Sequence, residues 1–257
     1  MGSEGSNTVR YRVRGGVATI TLDAPARRNA LSAPLLAELG RSFDVAEADS
    51  SVRTVVLTHS GPVFSSGMDL TQVSDVPAAG QPIVAFPVLL QRIWEFDKPV
   101  IAGVNGKARA GGIGLVAACD IAVAVPGADF AFTEVRLGIV PAVISVPVLP
   151  RLLPRAAHEL FLTGETFSAQ RALEIGLLNA VTEDLDTEIA RYTELFRRCE
   201  PNALAATKRM LRRDRSRPTM AEDFAAMAEL SAGYFASDEA REGIAAFAAK
   251  RAPGWAE

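Results

Sequence analysis

The stretch Val100-Ile101-Ala102-Gly103-Val104-Asn105-Gly106-Lys107-Ala108-Arg109-Ala110-Gly111-Gly112-Ile113-Gly114-Leu115 decides how the chain is to be read. Its first five residues are an unbroken apolar run, the pattern of a strand buried on both faces. Asn105-Gly106 turns the chain. From Gly111 to Cys119 the residues are small and apolar, which predicts a helix packed close to its neighbours. Residues 121–125 form the next apolar strand. Strand, helix and strand in this order predict parallel β units joined by crossovers, an α/β fold.

Upstream, residues 9–13 and 17–22 alternate around Gly15-Gly16 and read as a hairpin. Ser32-Ala33-Pro34 caps a helix whose Leu35, Leu36, Leu39 and Phe43 share one face. Residues 54–58 are a short strand rich in β-branched side chains. Residues 71–82 read as irregular, and residues 88–96 as a helix stopped by Lys98-Pro99. Downstream of about residue 145 the signals are nearly all helical, except for an extended piece around 176–181. Residues 188–250 read as amphipathic helices broken at Pro201 and Pro218.

The 257 residues are 49% hydrophobic and 22% charged, enough to bury a substantial core. A formal net charge of −3 argues against nucleic acid as the main partner. The polar segment Met1 to Asn7 lacks a signal-peptide core, and no uninterrupted apolar run is long enough for a membrane span. A cytoplasmic location with no membrane partner is therefore expected. Cys119 and Cys199 are read as reduced, buried thiols, and no metal site is expected from so few His and Cys.

Three segments could carry chemistry. In Phe64-Ser65-Ser66-Gly67-Met68-Asp69 a glycine after a strand can turn the backbone and expose the next N–H groups, although an ordinary turn reads the same way. In Ala110-Gly111-Gly112-Ile113-Gly114 the start of a helix offers unpaired N–H groups and a partial positive charge, suited to an oxyanion. The overlapping G-x-G-x-x-A at 112–117 fails as a dinucleotide motif, because residues 107–110 separate it from the strand and no acid ends the next strand. In Phe132-Thr133-Glu134-Val135-Arg136-Leu137 a carboxylate among apolar residues suits acid/base work. The alternative is a first-turn glutamate behind a Thr133 cap. His59 reads as a turn residue and His158 as solvent-facing.

Taken in order, these segments resemble the crotonase (enoyl-CoA hydratase/isomerase) superfamily. The likeness continues through Arg28-Asn29-Ala30-Leu31-Ser32, residues 98–106, Cys119-Asp120-Ile121-Ala122-Val123-Ala124, Leu162-Thr163-Gly164-Glu165, residues 172–178, and Arg241-Glu242-Gly243 with Phe247 and Lys250-Arg251. The resemblance implies a crotonase-like spiral of ββα units over residues 1–195 and a C-terminal helical trimerisation region over 196–257. It implies a homotrimer, often paired into a hexamer, and a bent acyl-CoA thioester as substrate. The thioester oxygen would lie between the N–H groups of Met68 and Gly111, with Ser66, Gly67, Asp69, Gly112 and Gly114 around the substrate. Of the family's two catalytic glutamates one matches Glu134, and the other position holds Gly114.

Residues 133–145 also resemble a bacterial subgroup acting on branched or carboxylated enoyl-CoAs such as 3-methylglutaconyl-CoA. There Arg136 would meet a substrate carboxylate. The alternative is a surface arginine paired with Glu134 or Asp129. Lys250 would reach a CoA phosphate of a neighbouring subunit, and Arg27 and Arg28 fall where the family places a basic residue near the CoA phosphates. No metal or redox cofactor is implied, since the thioester already acidifies Cα and coenzyme A belongs to the substrate. Three activities stay open: hydration of a 2-enoyl-CoA, isomerisation of a 3-enoyl-CoA by Glu134 alone, and acyl-CoA binding with little turnover.

Overall fold

The computed structural model describes residues 8–70, 82–212 and 220–256. Strands β1 (Val9–Arg14) and β2 (Val17–Leu22) form the expected antiparallel hairpin, with Val9 opposite Leu22. Helix α1 (Ala33–Ala48) begins where the Ser32 side chain accepts a hydrogen bond from the Leu35 N–H, and its Leu35, Leu36, Leu39 and Phe43 are buried. The chain then repeats one unit. Strand β3 (Thr54–His59) is followed by β4 (Val63–Ser65) and α2 (Pro82–Glu95). Strand β5 (Val100–Val104) is followed by β6 (Lys107–Arg109) and α3 (Gly111–Ala118). Strand β7 (Ile121–Ala124) is followed by β8 (Asp129–Ala131), a 3-10 turn at Glu134–Leu137 and α4 (Ala142–Val148).

In each unit the first strand joins one sheet and the second strand joins another. Helix α5 (Pro154–Thr163), strand β9 (Phe167–Ser168), helix α6 (Ala169–Glu174) and strand β10 (Ala180–Val181) complete both sheets. The larger sheet has the order β1-β2-β3-β5-β7-β10 and is parallel from β2 onward. The smaller has the order β4-β6-β8-β9. The result is a spiral of ββα turns, as the resemblance implied. Strand β5 is buried at all five positions because it lies inside the parallel sheet, between β3 and β7.

The smaller sheet was not foreseen. Its strands are two or three residues long, too short for a periodic signal. Helix α2 also begins at Pro82, six residues before the expected start, and carries Pro87 inside it. The irregular segment expected up to residue 82 otherwise lies outside the described residues, as do residues 1–7 and the break at Pro218.

Helices α7 (Leu185–Arg197), α8 (Pro201–Leu211), α9 (Met220–Phe235) and α10 (Asp238–Ala248) follow. They pack back onto the spiral. The Lys208 ammonium of α8 donates to the Lys98 carbonyl at 2.7 Å and to the Asp120 carboxylate at 2.5 Å. Asp120 in turn accepts from the Val100 N–H at 2.8 Å. Helix α9 lies against α2 and α4, and α10 against the 3-10 turn. Cys119 is buried as expected. Cys199 is not: it follows the last turn of α7 and is exposed. Among the described residues no helix is long and apolar enough to cross a membrane.

Candidate active site

The loop after β4 is held from below by Asn29, which is fully buried. Its side-chain oxygen accepts from the Ala24 N–H at 2.8 Å, and its amide donates to the carbonyls of Ser60 and Val63 at 3.1 and 2.7 Å. The Asn29 carbonyl accepts the Ser65 hydroxyl, which itself accepts the Gly67 N–H. The Ser66 N–H donates to the Arg28 carbonyl, and the Leu31 N–H to the Gly67 carbonyl. Gly67 has φ +88°, a left-handed conformation where a side chain is disfavoured, and an added Cβ would lie 3.0 Å from the Ala110 Cβ. This turn aims the next peptide group away from the strand. The Met68 N–H has no hydrogen-bond partner among the described residues.

The second turn is at the start of α3. Ala110 has φ +48° and ψ −118°, a sparsely populated region for a residue with a Cβ. The Ala110 N–H holds this strained turn to β8 by donating to the Ala131 carbonyl at 3.1 Å. The Gly111 N–H, one of the orphan donors of a helix start, likewise has no partner among the described residues. The two turns adjoin, since a Cβ built on Gly67 would lie 3.6 Å from the Gly111 nitrogen.

Met68 and Gly111 line one pocket together with Glu134. Its volume is about 610 Å³ including the open mouth. The apolar wall is formed by Leu70, Phe86 and Leu137, by residues 139–144, and by Phe235 from α9. The remaining polar side chains are the hydroxyls of Ser66, Thr133 and Ser231. Glu134 is buried and its Oε2 has no partner. Burial pushes its carboxyl up to about 7, countered only in part by its own backbone N–H. Thr133 makes no side-chain cap to the turn. Two open N–H donors and one buried carboxyl around an apolar pocket can polarise a carbonyl and move a proton beside it.

Gly114 does not line this pocket. A Cβ there would lie 2.8 Å from the Ile144 Cγ2 and 3.3 Å from its Cβ, so Ile144 of α4 fills the space a larger residue would need. Gly112 packs its backbone against Ser65. The Asp69 carboxylate is buried and paired with Arg27 at 3.2 Å, and Arg28 is exposed. Arg136 is exposed, and its guanidinium donates to the Thr163 carbonyl at 3.2 Å rather than pairing with Glu134 or Asp129. The partner of Asp129 is Arg109. Lys250 is exposed beyond α10, away from the pocket lining.

The strand β6 does directly precede α3, contrary to the sequence-based expectation. The dinucleotide motif still fails, because Gly112 is packed on Ser65 and β7 ends at Ala124 without an acid. His59 ends β3 rather than forming a turn, and its Nε2 accepts the Asn105 N–H at 2.9 Å. Burial holds its pKa below the usual imidazole value. Sequence reasoning missed the parts played by Ala110, Phe86, Ile144 and Ser231. None of these residue types signals a site, and only the packing of distant segments brings them to the pocket.

Known proteins similar to this chain point to one family. The family model described as enoyl-CoA hydratase/isomerase matches residues 12–257. The chain is 35% identical over 240 residues to the 2,3-dehydroadipyl-CoA hydratase of Escherichia coli, covering 92% of this chain and 94% of the relative. It is 35% identical over 260 residues to the carnitinyl-CoA dehydratase of Salmonella typhi, covering 97% and 98%. Among solved structures, an enoyl-CoA hydratase from Mycobacterium avium superposes with a TM-score of 0.86 at 42% identity, covering 96% of this chain and 98% of that one. Human enoyl-CoA hydratase domain-containing protein 3 superposes with a TM-score of 0.77 at 29% identity, covering 96% and 100%. With this match along nearly its whole length, the chain belongs to the enoyl-CoA hydratase/isomerase family, the crotonase superfamily.

Proposed function

We propose that the protein hydrates a 2-enoyl-CoA thioester. The observation that carries this reading is the one pocket lined by Met68 and Gly111, whose N–H groups have no partner among the described residues, and by the buried carboxyl of Glu134. The two N–H groups hold the thioester oxygen and stabilise the enolate that forms on it. Ionised Glu134 takes a proton from water as its oxygen bonds Cβ. The same residue then returns the proton to Cα, giving the 3-hydroxyacyl thioester. No metal or redox cofactor enters this chemistry, because the thioester acidifies Cα. The described pocket wall is apolar apart from Glu134 and three hydroxyls. Arg28 and Lys250 are the cations assigned to the CoA phosphates, Lys250 acting across a subunit boundary in a trimer or hexamer. Exposed Met210, Leu211 and Phe247 on the C-terminal helices support such an assembly.

A second reading, isomerisation, is favoured by one observation: Ile144 closes position 114, which leaves one carboxylate among the described lining residues to shuttle a proton between carbons. A panel of 2-enoyl- and 3-enoyl-CoA esters, run with the wild type and Glu134→Gln, separates the readings. Loss of the 2-enoyl absorbance with water addition supports hydration. Conversion of 3-enoyl esters without water addition supports isomerisation. Tight binding without turnover, unaffected by Glu134→Gln, refutes both.

A further inference from the structure

Helix α9 turns a stripe of residues toward the core: Phe224 is buried, Met227 and Ala228 pack on the core, and Phe235 reaches the pocket. The spacing is helical, and Ser231 falls within the same stripe. It is 5% exposed and lines the pocket that holds Glu134. No protein group among the described residues bonds its hydroxyl. Alanine would satisfy the packing of that face as well. Its oxygen is not among the fully enclosed polar atoms that lack a partner, so the hydroxyl opens to the pocket and a polar atom held there would serve as its partner. Ser66 and Thr133, the other hydroxyls of the wall, stand on the same backbone turns as Met68 and Glu134, whereas Ser231 comes from a separate helix.

We propose that Ser231 binds the oxygen that becomes the 3-hydroxyl of the product, holding the water that Glu134 deprotonates. The inference rests on the hydratase reading. It assigns to a neutral hydroxyl on α9 the water-holding task for which position 114 has no side chain. The step balances without Ser231 changing protonation. One water O–H bond breaks, its proton passes to Glu134, a C–O bond forms at Cβ, and the proton is delivered to Cα as the C=C bond becomes single.

The test uses the full-length protein with 2-butenoyl-CoA, 3-hydroxybutanoyl-CoA and butanoyl-CoA. In Ser231→Ala, kcat for hydration of 2-butenoyl-CoA falls about 3- to 10-fold, the range of one neutral hydrogen bond, with KM little changed. The wild type binds 3-hydroxybutanoyl-CoA more tightly than butanoyl-CoA, and Ser231→Ala loses that preference while Ser231→Thr retains it. Deuterium exchange at Cα of butanoyl-CoA, which needs only Glu134 and the two N–H groups, persists in Ser231→Ala. An unchanged ratio of the two dissociation constants overturns the proposal, and so does a parallel loss of hydration and exchange. If the wild type neither hydrates nor exchanges, the hydratase reading fails instead, and the binding ratio still decides the role of Ser231.

Discussion

Gly114→Ala is the sharpest probe of how this pocket is built. In the interior of an ordinary helix this change gains about 1 kcal/mol, because glycine costs more backbone entropy than alanine. At position 114 the new Cβ would lie 2.8 Å from the Ile144 Cγ2, about 1 Å inside an ordinary carbon–carbon contact. Isoleucine is stiff at χ1, and its own Cβ is only 3.3 Å away, so it cannot swing clear. Overpacking of this kind costs about 1–3 kcal/mol. With the larger values favoured by two close contacts, the net effect is a loss of about 1–2 kcal/mol.

The assay is equilibrium urea unfolding of the wild type, Gly114→Ala, Ile144→Ala and the double variant. Ile144→Ala alone removes a buried side chain and costs about 2–5 kcal/mol. On that background Gly114→Ala is neutral or stabilising by about 1 kcal/mol, since the Cγ2 it would strike is gone. The coupling energy is then about 2 kcal/mol, within the range for residues in contact. A cycle additive to within about 0.3 kcal/mol, or a stabilising Gly114→Ala in the wild type, refutes the reasoning. The same contact means that Gly114→Glu alone will not restore a second carboxylate to the pocket.

Other outcomes follow from the same geometry. Gly67→Ala strains a residue at φ +88° and pushes its Cβ to 3.0 Å from Ala110, displacing the Met68 N–H; kcat should fall about 100-fold in steady-state assays. A rate near that of the wild type would remove Met68 N–H from the mechanism. With the Glu134 carboxyl at about 7, kcat/KM for hydration should rise with pH through about 7 and level off above it, and Glu134→Gln should abolish that limb. The sign for stability is opposite. A folded-state pKa raised above the unfolded value of about 4.3 stabilises fully below that value and loses the benefit as pH climbs to 7. Glu134→Gln, which cannot ionise, should therefore stabilise the protein at pH 8 by on the order of 2–3 kcal/mol relative to its effect at pH 5, as read by urea unfolding. An equal effect at both pH values would show that the carboxyl titrates normally.

Much of the spiral was legible because its larger sheet uses long apolar strands. The run 100–104 and the alternation at 17–22 each carry a period that survives without tertiary context. The smaller sheet was not legible, because three residues such as Lys107-Ala108-Arg109 hold no period, and pairing with β4 and β8 alone makes them a strand. At the site, Gly67 and Gly111 announced exposed backbone, and Glu134 announced a carboxylate among apolar neighbours. Ala110 gave no signal, since its positive φ is imposed by the junction of β6, α3 and β8. Ser231 gave none either. In the sequence it is one serine of a helix, and it acquires meaning only when α9 folds over a pocket built more than eighty residues earlier.

The lack of a second carboxylate among the described lining residues bears directly on the acidity of Glu134. Burial alone brings its carboxyl near neutrality, with no paired cation among the described residues to lower it and no second carboxylate to raise it. A group with a pKa close to the working pH is present in both forms, and so can take a proton from water and hand it back to carbon. A carboxylate placed beside it at position 114 would add like-charge repulsion and drive one of the pair further upward, leaving less ionised base at neutral pH unless solvent or cations compensated. Filling that position with Ile144 leaves Glu134 as the one ionisable side chain among the described lining residues. An apolar wall and a neutral hydroxyl on α9 thus leave the proton-transfer range of Glu134 undisturbed, whereas an acid in either place would shift it.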